Sequence, residues 1–174
     1  QLGFQKEQQI ILPLQQAYKS SPENFQPLKN ELLKLSGVKS VTSGSTYPGI
    51  PDLTDLLFYH EGKTSGDVVD IHLWGIENDY LETLGLQLIS GRVFAAGTNA
   101  DSAGIILNET AIKQLGYETG NAIGKRIQFD FAGNHSSLEI VGIIKDYNFE
   151  SLHHNIKPCG FTTGLFTNKY SYLI

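Results

Sequence analysis

The fold of this chain is decided by residues 78–94, whose sequence is NDYLETLGLQLISGRVF. Asn78 is a suitable N-cap, the acidic residues after it suit the positive end of a helix, and Gly85 predicts the helix stop. The apolar side of this helix, which we expect to pack into the core, consists of Tyr80, Leu81 and Leu84. A strand is predicted directly after the stop, and Gly91 predicts a turn. We expect Arg92 to hold a turn or lobe contact rather than a substrate.

The amino-terminal part of the chain predicts a strand–helix–strand unit. Residues 8–14 form a short apolar run that includes Pro13, as is typical of a buried strand ending at an edge. A helix is expected from an N-cap at Asn24 to a stop at Gly37. Its apolar face would consist of Phe25, Leu28, Leu32 and Leu35. Residues 38–46 then alternate as a second strand, so a parallel pair joined by a right-handed crossover is predicted.

The remainder of the chain mixes strands with short helices. Residues 47–66 are rich in Pro and Gly and predict a long excursion with one short strand or helical turn inside. A compact helix is expected from Asn108 to Gly116, a hairpin turn at 133–136, and a helical turn closed by Pro158. Further strands are predicted at 68–76, 104–107, 122–131, 138–144 and near the carboxyl end. This order of elements predicts an α+β fold.

The composition indicates a folded domain that does not bind nucleic acid. Hydrophobic residues make up 40% and charged residues 18% of the chain, which is too apolar for disorder. The net charge is −5 without a basic stripe, so the clustered cations that phosphate or anionic lipid contacts need are missing. No apolar run approaches the roughly 20 residues needed to span a bilayer. The chain begins at Gln1 and contains no Met, which predicts a processed product or an excised fragment.

Two motifs resemble ligand sites, and we favour a structural interpretation of both. Residues 120–126, GNAIGKR, place three residues between the glycines where a phosphate-binding loop has four, and no Ser or Thr follows the Lys. A turn entering a strand is therefore expected there. His153 and His154 are adjacent and point to different sides of an element. A zinc site that joins His153 to Asp146 or Glu150 is less favoured than solvated turn residues or helix caps.

Three single residues could carry chemistry but are better explained by packing or exposure. His60 lacks the second histidine of an HExxH site and predicts loop surface. Cys159 is the single cysteine, and because no base or orienting group is nominated for it, a buried apolar role is expected. Trp74 is expected to pack in the core or between lobes rather than to form a ligand platform. The sequence thus predicts no catalytic residue, no cofactor and no metal ligand.

Six segments in unbroken order carry a resemblance to one family. They are LGFQKEQQIILPL, LKNELLKLSGVKSVTSGSTYPG, NDYLETLGLQLISGRVF, IILNETAIKQLG, NAIGKRI and EIVGIIKDYNFESLHHNIKP. This series, which runs from Leu2 to about Pro158, resembles the periplasmic core domain of MacB/FtsX-type ABC transporter permeases, in the form common in Bacteroidetes.

The resemblance implies an α+β fold with two lobes. A strand–helix–strand lobe near the membrane would comprise residues 1–47 and 141–174, and a mixed α/β lobe would be inserted as residues 48–140. In the family the segment after the Pro158 position continues as a strand, a helix and a further strand. The sequence reaches only the first of these strands, so a domain truncated at its carboxyl end is expected.

The same resemblance implies a non-catalytic periplasmic domain between the first and second transmembrane helices of an inner-membrane permease. ATP would be hydrolysed by a separate cytoplasmic domain or subunit of a dimeric parent. The domain would transmit conformational change and contact substrate or periplasmic or outer-membrane partners, in export, lipoprotein release or regulation. One alternative is a small-molecule-binding sensor domain whose pocket is lined by Trp74, Tyr47 and Tyr59. Another is a small hydrolase or metal enzyme that uses His153 or His154.

Overall fold

Ten strands and three helices occur in the part of the chain that the computed structural model describes, which is residues 3–4, 7–14, 24–50, 55–60, 62, 67–95, 101–149, 155–165 and 171–174. The helices are α1 (Phe25–Leu32), α2 (Tyr80–Thr83) and α3 (Glu109–Gln114). The strands are β1 (Leu12–Pro13), β2 (Ser43–Gly44), β3 (Asp55–His60), β4 (Val69–Gly75), β5 (Leu88–Gly91), β6 (Gly104–Asn108), β7 (Arg126–Phe131), β8 (Asn134–Ile144), β9 (Cys159–Thr162) and β10 (Tyr172–Leu173).

The smaller sheet contains the first and the last of these strands as neighbours. Its order is β1-β10-β2, and both pairings are antiparallel, with Leu12 opposite Leu173 and Leu173 opposite Ser43. β1 and β2 therefore run parallel to each other without sharing hydrogen bonds. The predicted parallel pair is wrong because β10 occupies the place between them. Helix α1 connects β1 to β2 and packs Phe25 against Val41 and Leu173.

The larger sheet has seven strands, and six of them close into a ring. Its order is β5-β8-β6-β9-β4-β3-β7, and β7 pairs again with β8. Strand β8 pairs with two strands along the same edge. Its residues 134–139 pair with β7, and its residues 142–144 pair with β5. The sheet is mixed, because the β6–β8 and β4–β9 pairs are parallel and the others are antiparallel.

Two apolar cores lie on opposite faces of the larger sheet, because side chains alternate along its strands. On β4, Ile71 and Leu73 enter the core that the ring encloses, where Ile112 of α3 also packs. Trp74 and Ile76 enter the second core, to which α2 and the smaller sheet also contribute. The layers therefore run from α1 through the smaller sheet, the second core and the larger sheet to α3.

Residues 78–94 fold largely as predicted. The three apolar residues of the helix are at most 2% exposed, and they are Tyr80, Leu81 and Leu84. Gly85 has a positive φ of +66°, as its predicted turn requires. Gly91 also has a positive φ, +75°, but the turn predicted there is wrong, because Gly91 is the last residue of β5 and pairs with Gly142 of β8. A second detail is wrong: Asp79, and not Asn78, occupies the N-cap position of α2, and its side chain makes no capping hydrogen bond.

The other predicted helices differ in how well their ends were placed. Asn108 caps α3 as predicted, since its Oδ1 accepts a 3.0 Å hydrogen bond from the Ala111 N–H. Asn24 lies at the start of α1 but makes no side-chain capping bond. Because α1 ends at Leu32, Leu35 is 56% exposed and does not continue the apolar face.

The predictions for the loops and the hairpin are confirmed only in part. The excursion at 47–66 contains β3, a full strand of the larger sheet, where a short strand or helical turn was expected. The hairpin turn consists of Ala132 and Gly133, with φ angles of +50° and +79°, and not of residues 133–136. The helical turn before Pro158 falls mainly on residues 150–154, which lie outside the described residues.

The two sheets coincide only in part with the expected lobe boundaries. The smaller sheet takes its first two strands from residues 1–47, and β10 from the end of the chain. Residue 141, however, falls inside β8, and β9 belongs to the larger sheet. A division that follows the sheets would therefore assign only residues near the carboxyl end to the smaller one. The division into lobes stays a proposal.

A candidate junction between the two sheets

Backbone hydrogen bonds join the smaller sheet to one end of β4. An isolated antiparallel bridge pairs Gly44 with Ile76. The Ser45 N–H donates to the Gly75 carbonyl at 2.8 Å, and the Glu77 N–H donates to the Ser43 carbonyl at 3.0 Å. The end of β2 therefore pairs with residues 75–77, at the end of β4. We call the contacts between residues 42–47 and residues 74–80, together with Lys29, the junction.

A partly buried charge pair connects α1 to the junction. Lys29 on α1 forms an ion pair with Asp79, and the side chain of Lys29 is 13% exposed while that of Asp79 is 38% exposed. The Thr42 hydroxyl donates to the other carboxylate oxygen of Asp79 at 2.8 Å. The Asp79 carboxylate at the start of α2 thus binds both α1 and the residue that precedes β2. Removing one partner of this pair would leave a partly desolvated charge.

Tyr80 fits against a glycine of the smaller sheet. Its hydroxyl donates to the Thr46 carbonyl at 2.9 Å. A Cβ atom added at Gly44 would lie 2.6 Å from Tyr80 Cε2 and 3.1 Å from the Thr46 oxygen. The aromatic ring therefore lies directly on the backbone of β2, and only glycine leaves room for it.

An aromatic cluster extends from the junction across the second core. Trp74 packs edge-to-face on Phe149 with ring centroids 4.7 Å apart, and on Phe161 at 5.6 Å. His72 adjoins this cluster, and its Nδ1 lies 2.7 Å from a carboxylate oxygen of Asp55. Trp74 therefore packs in the core, as predicted, and is 2% exposed.

Arg92 holds the loop that follows β5. Its guanidinium binds both carboxylate oxygens of Asp101, at 2.9 and 2.6 Å, and Asp101 also accepts the Ala95 N–H. Asp101 is buried, and its hydrogen bonds with Arg92 lower the pKa of the carboxyl below its usual value. The predicted turn contact of Arg92 is confirmed. Its expected effect on stability or coupling stays a prediction.

Of the residues proposed to line a ligand pocket, Trp74 and Tyr47 both pack in the second core, whereas Tyr59 lies elsewhere. Trp74 is in the second core, Tyr47 packs on Tyr172 with ring centroids 5.0 Å apart, and the Tyr59 hydroxyl donates to Asp130 at 3.0 Å. Burial and the neighbouring Asp130 carboxylate raise the pKa of Tyr59. An open cleft of about 340 Å³ lies elsewhere, at the end of α3, and none of these three residues lines it.

The described part of the chain brings no metal-binding set together. Residues 120–126 form the predicted turn, and β7 begins at Arg126. The Cys159 thiol is fully buried, and burial raises its pKa well above the usual value, so it is a poor nucleophile. Among the described residues, no group of three or more His, Cys, Asp or Glu could hold a metal ion. His153 and His154 lie outside those residues.

Sequence reasoning missed the residues that make the junction. Lys29 lies 50 positions and Thr42 lies 37 positions before Asp79 along the chain. None of the three belongs to a recognisable motif. Gly44 gave a weak signal, because a glycine inside a predicted strand often marks a close backbone approach.

Comparison with known proteins shows which class of protein this architecture belongs to. The family model of the MacB-like periplasmic core domain matches residues 3–158. The periplasmic region of MacB from Actinobacillus actinomycetemcomitans is similar, with 20% identity, a TM-score of 0.55, and coverage of 83% of this chain and 60% of that one. A domain of a putative permease protein from Porphyromonas gingivalis has 16% identity and a TM-score of 0.55, covering 84% and 63%.

A third similar structure comes from Gram-positive bacteria. The extracellular domain of the noncanonic ABC-type transporter YknZ has 20% identity and a TM-score of 0.53, covering 83% of this chain and 67% of that one. A comparison with curated proteins finds no match. The chain thus spans between 60 and 67% of the lengths of the three solved chains.

These similarities define an extracytoplasmic domain of an ABC transporter permease. The chain belongs to the MacB-like periplasmic core domain family. The family, the α+β fold class and the extracytoplasmic location that the six segments predict are therefore confirmed. No helix in the described residues is long and apolar enough to cross a membrane.

Proposed function

We propose that this domain is a non-catalytic mechanical element, which carries conformational change from the transmembrane helices of its parent permease to a substrate or partner in the periplasm. The observation that supports this most directly is the pairing of the first described strand with the last one. β1 and β10 are neighbours in the smaller sheet, so force from segments on either side of the domain would enter at one place. The junction then offers a short path from that sheet into the larger one.

The rest of the permease follows from the same proposal. ATP is hydrolysed in a separate cytoplasmic domain or subunit, and the parent is a dimer. The smaller sheet with α1 forms the membrane-proximal lobe, and the ring with α3 forms the lobe that reaches periplasmic or outer-membrane partners. The sensor alternative has less support, because Trp74 is buried in the second core and Tyr59 lies away from it, bonded to Asp130 of β7.

The test measures the position of the lobe formed by the ring and α3, which we call the far lobe, while the permease hydrolyses ATP. A fluorescent donor is placed at Lys113, an exposed residue of α3, in the reconstituted permease, with an acceptor at the lipid headgroups. The mechanical role predicts that energy transfer changes on addition of ATP. An unchanged signal during ATP hydrolysis would overturn the proposal, and a change only on addition of small molecules would favour the sensor.

Reversing one junction charge is expected to uncouple this movement. Asp79→Lys places a second cation beside Lys29, and the ATP-dependent change at residue 113 should fall about fivefold or more, as for a lost coupling of typical size. ATP hydrolysis itself should continue. The matched control is the swapped pair, Lys29→Asp with Asp79→Lys, which restores opposite charges and should restore much of the movement. If the swap moves the far lobe no better than the single reversal, the charge pair is not the coupling contact.

A further inference from the structure

The geometry points to a second coupling device, which joins α3 to the second core. We propose that a reciprocal clasp between the first turn of α3 and residues 145–149 makes α3 move together with the aromatic cluster of the second core. The role of the clasp in coupling rests on the proposed function. Its existence does not, because it can be tested in the isolated chain.

The clasp has two halves that bond to each other in both directions. The Thr110 N–H and hydroxyl donate to the two carboxylate oxygens of Asp146, at 3.0 and 2.7 Å. In return, the Asp146 N–H donates to the Glu109 carboxylate at 3.0 Å. The helix start is thus held by the following segment, in addition to its own cap at Asn108. Hydrogen bonds to charged groups are among the stronger ones, so the two halves should separate rarely.

The segment that holds α3 also supplies the aromatic cluster. Tyr147 and Phe149 follow Asp146 directly, and both are buried in the second core. Phe149 contacts Trp74, and its carbonyl accepts the Gly49 N–H at 2.8 Å, just beyond the junction. A displacement of α3 would therefore pull on a chain of packed groups that ends at the smaller sheet.

Asn108 anchors the return of the chain at the same end of α3. Its Oδ1 accepts the Cys159 N–H at 3.0 Å, and its Nδ2 donates to the Lys157 carbonyl at 3.0 Å. This fully buried amide thus binds the start of α3 to the entry of β9. The cleft of about 340 Å³ lies at the opposite end of α3, where Gln114, Leu115 and Gly116 line it. Through the clasp, occupation of that cleft and strain at the junction would act on the same helix.

The test is hydrogen exchange of the Gly49 amide, which is far along the chain from α3 and bonded to Phe149. Thr110→Val removes the hydroxyl donor, keeps a side chain of similar shape and leaves the Asn108 cap in place. Loss of a hydrogen bond to a carboxylate should raise the open population of residues 145–149, and with it the Gly49 exchange rate, about tenfold.

The matched control is Lys113→Val, the same β-branched replacement at an exposed position of the same helix. It should leave Gly49 exchange unchanged. Glu109→Gln keeps an acceptor for the Asp146 N–H and should stay close to the unmodified chain, whereas Glu109→Leu should behave as Thr110→Val does. Unchanged Gly49 exchange in Thr110→Val, or an equal increase in Lys113→Val, would overturn the clasp. Because this experiment needs no ATP or membrane, its failure is distinct from a failure of the proposed function.

Discussion

Replacing Tyr80 by alanine is expected to lower the free energy of unfolding by about 3–5 kcal/mol, as for other large aromatic truncations in cores. The ring is 1% exposed and fills the space between α2 and the smaller sheet. Tyr80→Phe keeps the ring and loses the 2.9 Å hydrogen bond to Thr46, so it should cost about 1 kcal/mol. Urea denaturation of the three proteins measures both differences.

A double substitution shows whether Tyr80 acts through the junction. Gly44→Ala alone should cost about 1–3 kcal/mol, because the new methyl group would lie 2.6 Å from the Tyr80 ring. In the Tyr80→Ala background the same methyl group enters the vacated space and should cost much less. The coupling between the two positions should therefore be about 1 kcal/mol or more. Additive effects would mean that Gly44 and Tyr80 do not press on each other.

Replacing Gly91 by alanine is expected to destabilise the chain by about 3–4 kcal/mol, through backbone strain together with overpacking. Gly91 has a φ of +75°, and an added Cβ would overlap the Val141 carbonyl oxygen of β8. Both strands would have to move apart, since that oxygen belongs to the backbone. Urea denaturation again provides the measurement.

Gly116 is a matched control for this substitution. Its φ is +82°, but nothing lies within 4 Å of an added Cβ. Gly116→Ala should therefore cost only the strain of the left-handed conformation, about 1–2 kcal/mol. Equal losses at the two glycines would show that the close approach of β5 to β8 adds nothing.

Local chemistry made several elements predictable from the sequence. Asn108 precedes an apolar pattern and can satisfy the free N–H of Ala111, so α3 was placed with its correct cap. Tyr80, Leu81 and Leu84 have helical spacing, and their burial followed from that pattern alone. Gly85 was correctly expected to turn, because glycine adopts positive φ without strain, whereas the positive φ of Gly91 occurs within β5.

Long-range pairing limited what the sequence could show of the fold. β10 is more than a hundred residues from both β1 and β2, and its short pattern does not indicate that it inserts between them. Strand pairing depends on which apolar faces meet, and a two-residue strand carries little of that information. The pairing of β7 with β3, which closes the ring, is of the same kind.

The junction could not be predicted for a related reason. Asp79 at a helix start has a sufficient local explanation in the helix dipole, so nothing in the sequence suggests that it binds Lys29 and Thr42 instead. Arg92 is the contrasting case, because its partner Asp101 is only nine residues away across one loop. The family, which the order of six segments indicated, is confirmed, whereas the contacts that would transmit force emerge only from the structure.

The most direct test of the central claim is a distance between the two ends of the layered structure in the working permease. Asn30→Cys on α1 and Lys113→Cys on α3 place spin labels at exposed positions, while the buried Cys159 should not react. If the junction couples the two sheets, pulsed electron paramagnetic resonance should give the same distance distribution in the nucleotide-free and ATP-bound states. A shift of about 5 Å or more between the two states, as in sliding of one element past another, would contradict the account.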